Sequence, residues 1–402
     1  MAEDAARTVG EAVRKLRLWR GKDQETLAGL VGRSQAWLSN VESGKTRLDR
    51  RTDIEALADA LKVHPLDIVG KPYRTAGRQT YEVEALIPAI RVALSDVPDA
   101  PVLPIAELAR RVERACAAMW RDGDLVDLAA SLPGLFGGVR LAAANGGTEE
   151  DHRQALRLLA VTSSVAFPML KHLGYSDLAL VCVNMCTTAA QELDDPLWLA
   201  YAGFRRSHAL IPVGHPERAL EISRKAIDTV EPHIGVETDS LRMYGFAHLT
   251  SAVWAAQAGQ RDDAMAHLRE AEAVSQRVSD GDFWDLFFGP TNVAIHRTQV
   301  MATLGDGEAL PGLAARVDEA AVPSAVQRSY LHTNVGHGLI HARGRADDAV
   351  QELRIAEEIA PMRFRTRAII PPLLMALFGQ PMRSSSLREL RGMAFRVGAG
   401  LN

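Results

Sequence analysis

Apolar residues recur at three- and four-residue spacing through almost the whole chain, and the first sixty residues show it most sharply. Val9, Val13, Leu16 and Trp19 predict a helix from Thr8 to Trp19, with residues 1–7 as a frayed arm. A second helix is expected from Gln24 to Leu30, with Leu27 and Ala28 inward. Val31 and Gly32 carry the turn after it, where glycine takes a backbone angle closed to other residues. Ser34 caps a third helix with Trp37, Leu38 and Val41 as apolar positions, leaving Gln35, Ala36, Ser39 and Asn40 on the other face. Thr52 caps a fourth helix whose inward side is Ile54, Leu57, Ala58 and Leu61, and Asp53 and Glu55 suit its positive end. Pro65 to Val69 closes this small domain. Two short helices joined by a tight turn form the unit that sets its second helix in the DNA major groove.

The pattern then weakens. KPYRTAGRQT (71–80) is polar and unpatterned, Tyr81 to Leu94 predicts an amphipathic helix containing Pro88, and SDVPDAPVLP (95–104) holds three prolines. Residues 71–104 therefore read as a linker with one helix. It separates a DNA-binding domain at 1–70 from a helical region at 105–402. The latter begins with helices from Ile105 to Met119 and Leu125 to Leu141, and shows no convincing alternating strand run and no βαβ spacing.

A degenerate repeat follows. A glycine, a short turn and an early alanine recur as GYSDLA at 174, GHPERA at 214, GQRDDA at 259, GDGEA at 305 and GRADDA at 344. The glycine spacings of 40, 45, 46 and 39 residues, with glycine ending one helix and an acid opening the next, indicate stacked helical hairpins. The expected fold class is all-α: a helix-turn-helix domain followed by a superhelix of hairpins.

Charge sharpens the division. The net charge of −4 conceals 15 Lys+Arg against 11 Asp+Glu in residues 1–79, and 31 against 39 in the remainder. Arg33, Lys45, Arg47, Arg50 and Arg51 flank the third helix, placed for phosphate contacts that fix register while base contacts choose the site. Cys116, Cys182 and Cys186 make no disulfide framework, and no uninterrupted apolar run approaches membrane-spanning length. A cytoplasmic protein, nucleoid-associated when bound to DNA, is the expectation.

From about Val9 to Gly70 the chain resembles the phage-repressor class of helix-turn-helix domains, the Xre family. The matching residues are Arg17, Gln24, Leu27-Ala28, Gly32, Ser34, Leu38-Ser39, Glu42, Gly44-Lys45 and the run IEALADALKVHPLDIVG. The resemblance implies that Gln24 caps the second helix and touches a phosphate. It further implies that Gln35, Ala36 and Asn40 face base edges and that Arg17 pairs with Glu42 inside the domain. Ala36 offers only a methyl group and Asp23 brings a negative charge near the backbone contact, so the operator cannot be copied from a relative. The expected DNA-contact set is Gln24, Arg33, Ser34, Gln35, Ala36, Ser39, Asn40, Lys45, Arg47 and Arg50.

The third repeat, YGFAHLTSAVWAAQAGQRDDAMAHLREAEAV, resembles a tetratricopeptide repeat. The whole chain is similar to actinobacterial helix-turn-helix regulators with a tetratricopeptide-like C-terminal region, as in FWDLFFGPTNVAIHR at 283–297. It shares an architecture with peptide-sensing quorum regulators. That likeness implies a homodimer on a double-stranded DNA operator, with a small molecule or peptide as effector.

Stacked hairpins give a concave face lined by the first helix of each pair. Candidate effector residues there are Asn184, Arg205, Tyr244 and His248, then Phe287, Asn292 and His296, then Tyr330, Asn334 and His337. In 283–297, Gly289-Pro290 breaks or kinks the helix, and Asn292 and His296 lie four apart and could converge on one ligand. His337 and His341 share that spacing, but no glutamate lies between them as in a zinc hydrolase, so no metal is expected. Cys182 and Cys186 read as buried small hydrophobes. No nucleotide loop, nucleophile elbow or hydrolase motif occurs, so neither an enzyme nor a cofactor is expected. The reading is a sequence-specific transcriptional regulator. The alternative is a helical-repeat interaction scaffold with an accessory helix-turn-helix domain.

Overall fold

The computed structural model describes residues 2–46, 48, 51–63, 68, 82–97, 100–145, 147–210, 214–235, 237–284 and 286–399; at 2–8, 51 and 282 it describes the backbone alone. The chain divides into two compact units, Met1–Thr75 and Ala76–Asn402.

Among the described residues the first unit holds the helices α1 (Ala2–Trp19), α2 (Gln24–Leu30), α3 (Gln35–Glu42) and α4 (Arg51–Leu61). Helical backbone reaches back to Ala2, so residues 2–7 are not the arm their sequence suggests. Val13, Leu27, Leu38, Leu57, Leu61 and Ile68 form the core. At Gly10 a Cβ would overlap the carbonyl oxygen of Val41, so glycine is what lets α1 lie this close to α3. Ser34 caps α3, its Oγ accepting from the Trp37 amide at 3.2 Å. The cap of α2 is Asp23, not Gln24: its Oδ1 accepts from the Thr26 amide at 2.7 Å, and that bond leads the causes holding its carboxyl below the usual range. Thr52 falls within the first turn of α4 instead of capping it, because the helix already begins at Arg51.

Among its described residues the second unit is all-α apart from one short hairpin. It starts with α5 (Ile87–Ser95), α6 (Ile105–Cys116) and α7 (Leu125–Asn145). Pro88 lies in the first turn of α5, where its missing N–H is no loss. Ile87, Ile90 and Leu94 are buried in the main core, so the helix inside the expected linker is part of this unit. Among the described residues α7 is the one helix long and apolar enough to cross a membrane, but Leu128, Leu132, Leu135, Phe136 and Val139 are buried in the core. α6 runs on into a π-helical turn, Ala117–Asp122, which Gly123 ends in the left-handed conformation.

Helical hairpins follow: α8 (Glu149–His172) with α9 (Ser176–Leu193), α10 (Pro196–Leu210) with α11 (Pro216–Val230), and α12 (Thr238–Gln257) with α13 (Arg261–Ser275). The fourth pairs α14 (Pro290–Thr303) with a single short turn of helix, α15 (Leu310–Ala314), and the fifth is α16 (Ala325–Ile340) with α17 (Ala346–Ile359). Gly174, Gly214, Gly259, Gly305 and Gly344 all have positive φ, between 72° and 86°, at the turn inside each hairpin. The fourth hairpin is cut short where Gly307 packs directly on Gly338 of α16, leaving no room for a Cβ at either position. α18 (Pro361–Thr366), α19 (Ile370–Leu377) and α20 (Ser384–Arg396) close the chain over a second core.

The described residues of 283–288 are not helical. β1 (Gly281–Phe283) and β2 (Leu286–Phe288) pair antiparallel, Gly281 opposite Phe288 and Phe283 opposite Leu286. Phe283, Leu286 and Phe288 are buried, and Phe288 fills the space left by the missing side chain of Gly245 on α12. The helix starts only at Pro290, capped from outside when Asp280 accepts from the Thr291 amide at 3.1 Å and its hydroxyl at 2.6 Å.

Candidate functional site

Two regions carry polar chemistry that the cores do not use. In the first unit, α3 buries Leu38 and Val41 and leaves Ser34, Gln35, Ala36, Ser39 and Asn40 exposed, four polar side chains around the Ala36 methyl. Its C-terminal end is held by Glu42. Arg17 donates Nε and Nη2 to Glu42 at 2.6 and 2.9 Å, and its Nη1 to the carbonyl of Lys22 at 2.8 Å. Burial raises the Glu42 pKa, but the bonds from Arg17 and Gln24 outweigh it and hold the carboxyl below its usual range. Gln24 donates to Glu42 at 2.8 Å and is half-buried, so this amide is committed inside the domain, which its expected phosphate contact does not describe.

Of the flanking cations, Arg33 donates to Asp53 at 2.7 and 3.2 Å, with its guanidinium 5.4 Å from the centre of the Trp37 ring. It ties the turn before α3 to α4. Lys45 is exposed beyond the end of α3, while Arg47 and Arg50 lie outside the described residues. Gln24, Arg17 and Glu42 thus form one cluster, and Ser34, Gln35, Ala36, Ser39 and Asn40 form a separate open face.

The second region is the interior of the hairpin stack. Arg205 and Tyr330 lie there, and His296 stands beside it with its ring centre 5.8 Å from that of Phe246. Several expected groove residues do not. Asn184 is exposed on α9, the second helix of its hairpin, because Gly174 closes the first helix earlier in the chain. Tyr244 and His248 face their own partner helix: Tyr244 Oη donates to Glu270 at 3.4 Å, and the Nδ1 atoms of His248 and His267 lie 3.1 Å apart. Asn292 is turned to the Phe287 carbonyl, so it does not converge with His296 on a shared ligand. Buried Asn334 bonds Thr298 at 3.1 Å across to α14. His337 is half-buried with its ring 5.9 Å from that of His341.

Residues without a sequence signal complete the interior. Lys171 comes from the end of α8, Arg363 from α18, and Arg367 follows it. Arg363 donates to the Tyr330 hydroxyl at 2.7 Å, and the Arg367 guanidinium lies 4.1 Å from the Tyr330 ring centre. Lys171 stands over Phe167 at 5.1 Å. Burial, then Arg205, Arg363 and Arg367, lower the Lys171 pKa to about 8. Burial opposes ionisation of Tyr330, yet Arg363 and Arg367 bring its pKa below that of an ordinary phenol. His208 is driven well below the histidine range by burial and then by Lys171 and Arg205.

Beside these cations a cavity of about 580 Å³ is lined by Trp120, Phe283, Trp284, Phe287, Pro323 and Cys116, with Glu113, Arg121 and Asp239 also on its wall. Phe287 is therefore on a cavity, although on a strand instead of a helix. Trp120 belongs to both regions, its ring centre 5.3 Å from the Arg363 guanidinium and 5.9 Å from that of Arg205. Cys182 and Cys186 are fully buried, and burial pushes the Cys182 thiol far up. Among the described residues no three of His, Cys, Asp and Glu converge as a metal site.

Fold and surfaces together define a helix-turn-helix unit joined to a stack of helical hairpins with an enclosed polar interior. Residues 8–68 match the family model of the helix-turn-helix domain. No curated protein matches the sequence. Among solved structures the chain is similar to Bacillus thuringiensis PlcR, in its crystal structure with the peptide PapR7 and DNA. The identity is 12%, the TM-score 0.30, and the match covers 68% of this chain and 95% of that one.

Proposed function

We propose that the protein is a sequence-specific DNA-binding transcriptional regulator acting as a homodimer, with a C-terminal hairpin stack that senses a small molecule or peptide. The observation that carries the reading is the exposed strip Gln35, Ala36, Ser39 and Asn40 on an α3 whose inner face is packed and whose end is held by Glu42. Gln35 and Asn40 supply amides able to pair with adenine edges, Ala36 a methyl able to meet thymine, and Lys45 a phosphate contact. One such domain has a small footprint, so two reading paired half-sites supply the affinity. Ligand in the hairpin stack changes the spacing or mobility of the two DNA-binding units, and ligand and DNA affinities are then reciprocally linked. The setting is the cytoplasm, at the nucleoid when bound.

Genome-wide DNA capture with the purified full-length protein tests this, repeated with Gln35→Ala and Asn40→Ala combined. Enrichment of a two-part motif that the double variant loses is the expected result. Absence of any enriched site, with and without cell extract as a ligand source, would shift the reading to a helical-repeat interaction scaffold.

A further inference from the structure

The interior of the hairpin stack brings the cations Lys171, Arg363 and Arg367 close together. Among the described residues Lys171, Arg363 and Arg367 make no ion pair with any carboxylate. Arg363 is fully buried with Nε and Nη1 unpartnered, and Nη1 of Arg367 is likewise buried without a hydrogen bond. A buried guanidinium normally satisfies its fork of donors, and like charges that influence one another inside protein oppose folding. Arg363 and Arg367, from α18 and its end, meet Arg205 of α10 around Tyr330 and Trp120, and Lys171 of α8 lies close enough to feel all three. Lys171, Tyr330 and Arg367 retain partial exposure at the edge of the cluster, while the unpaired nitrogens of Arg363 and Arg367 are themselves shut off from solvent. The adjoining aromatic cavity shares Trp120 with them.

We propose that this interior binds a small ligand carrying an oxyanion, carboxylate or phosphate, on an apolar body. Lys171, Arg363 and Arg367 take the oxyanion, and Trp120, Phe283 and Phe287 pack the apolar part. Guanidinium forks match planar or tetrahedral oxyanions, and ring faces accept a flat apolar group beside them. This names the ligand class for the sensing role proposed above and rests on that reading for its regulatory consequence. Binding is measured without DNA, so its failure leaves DNA recognition standing, and failure of DNA capture leaves ligand binding standing.

The test is calorimetric titration of the full-length protein with phenyl phosphate, 3-phenylpropionate, the neutral 3-phenylpropionamide and inorganic phosphate. At least one aromatic anion should saturate while the amide does not, and whichever binds identifies phosphate or carboxylate as the group. Lys171→Gln and Arg367→Gln should each weaken binding on the order of tenfold, the worth of one charge-assisted bond. Without ligand both variants should melt no lower than the parent, because a repulsive charge has gone. Failure of both anions to saturate, equal binding of the amide, or unchanged affinity in both variants would overturn the proposal. Variants that melt well below the parent would make the cations structural and overturn it too. Inorganic phosphate binding as tightly as phenyl phosphate would remove the aromatic wall from the site.

Discussion

Glu42 closes α3 with a charge that the domain has taken out of water. Its carboxylate accepts from Arg17 twice and from Gln24 once, and both Arg17 and Glu42 are buried. Removing one partner leaves the other charge without its counter-ion, which costs roughly 3–5 kcal/mol at buried pairs. Glu42→Gln should therefore lower the stability of the first unit by that order in urea unfolding; a loss under about 1 kcal/mol would mean the pair behaves as if at the surface. The pair itself was legible from the family pattern, because both residue types stand at their expected positions. Gln24 was not, because its bond to a residue 18 positions on leaves no periodic trace. The same holds for Lys171 against Arg363 and Arg367: those two stand four apart at α18, but Lys171 has no spacing to them and meets them only when separate helices stack.

Close approach of α1 and α3 depends on the element surfaces, not on any single bond. Gly10 faces the backbone of Val41 with no room for a methyl group, whereas the helical Gly29 faces open space. Gly10→Ala should destabilise the first unit by about 1–3 kcal/mol through overpacking. Gly29→Ala should stabilise it by roughly 0.5–1 kcal/mol through helix propensity, and the two variants compared in one urea series check both signs. Equal effects would show that α1 can shift away from α3 at no cost. Elements with a strong period or a marked stop were readable: Ser34 at the start of α3 and the five turn glycines are local chemistry. The hairpin of β1 and β2 was not, since a short aromatic-rich run broken by Asp285 fits a strand or a buried helix equally. Gly245 decides it, by leaving the hole that Phe288 fills from another element.

At the scale of the whole molecule, the hairpin stack encloses several histidines as neutral rings. Burial lowers His248 to about 3, with His267 adding to the effect, and lowers His267 and His337 to about 4; His208 and His296 are lowered for the same leading reason. An unfolded histidine titrates near ~6.5. Above that value these rings are neutral in both states and do not affect stability through protonation. As pH falls below it the unfolded chain takes up protons that the folded unit refuses, so stability drops progressively toward the folded values. His332 acts in the opposite sense. Burial lowers its pKa, but Glu352 at 2.7 Å and Glu319 at 3.2 Å raise it on balance, so it adds stability at low pH. With the described lowered rings outnumbering His332, the melting temperature of the second unit should fall between about pH 6.5 and 5, above the range where Glu357 and the other carboxylates begin to protonate. Calorimetric scans of the full-length protein across that interval check it, and His267→Gln should shallow the slope. A flat profile would mean that the interior admits protons, and the buried rings would then be cations in the folded protein.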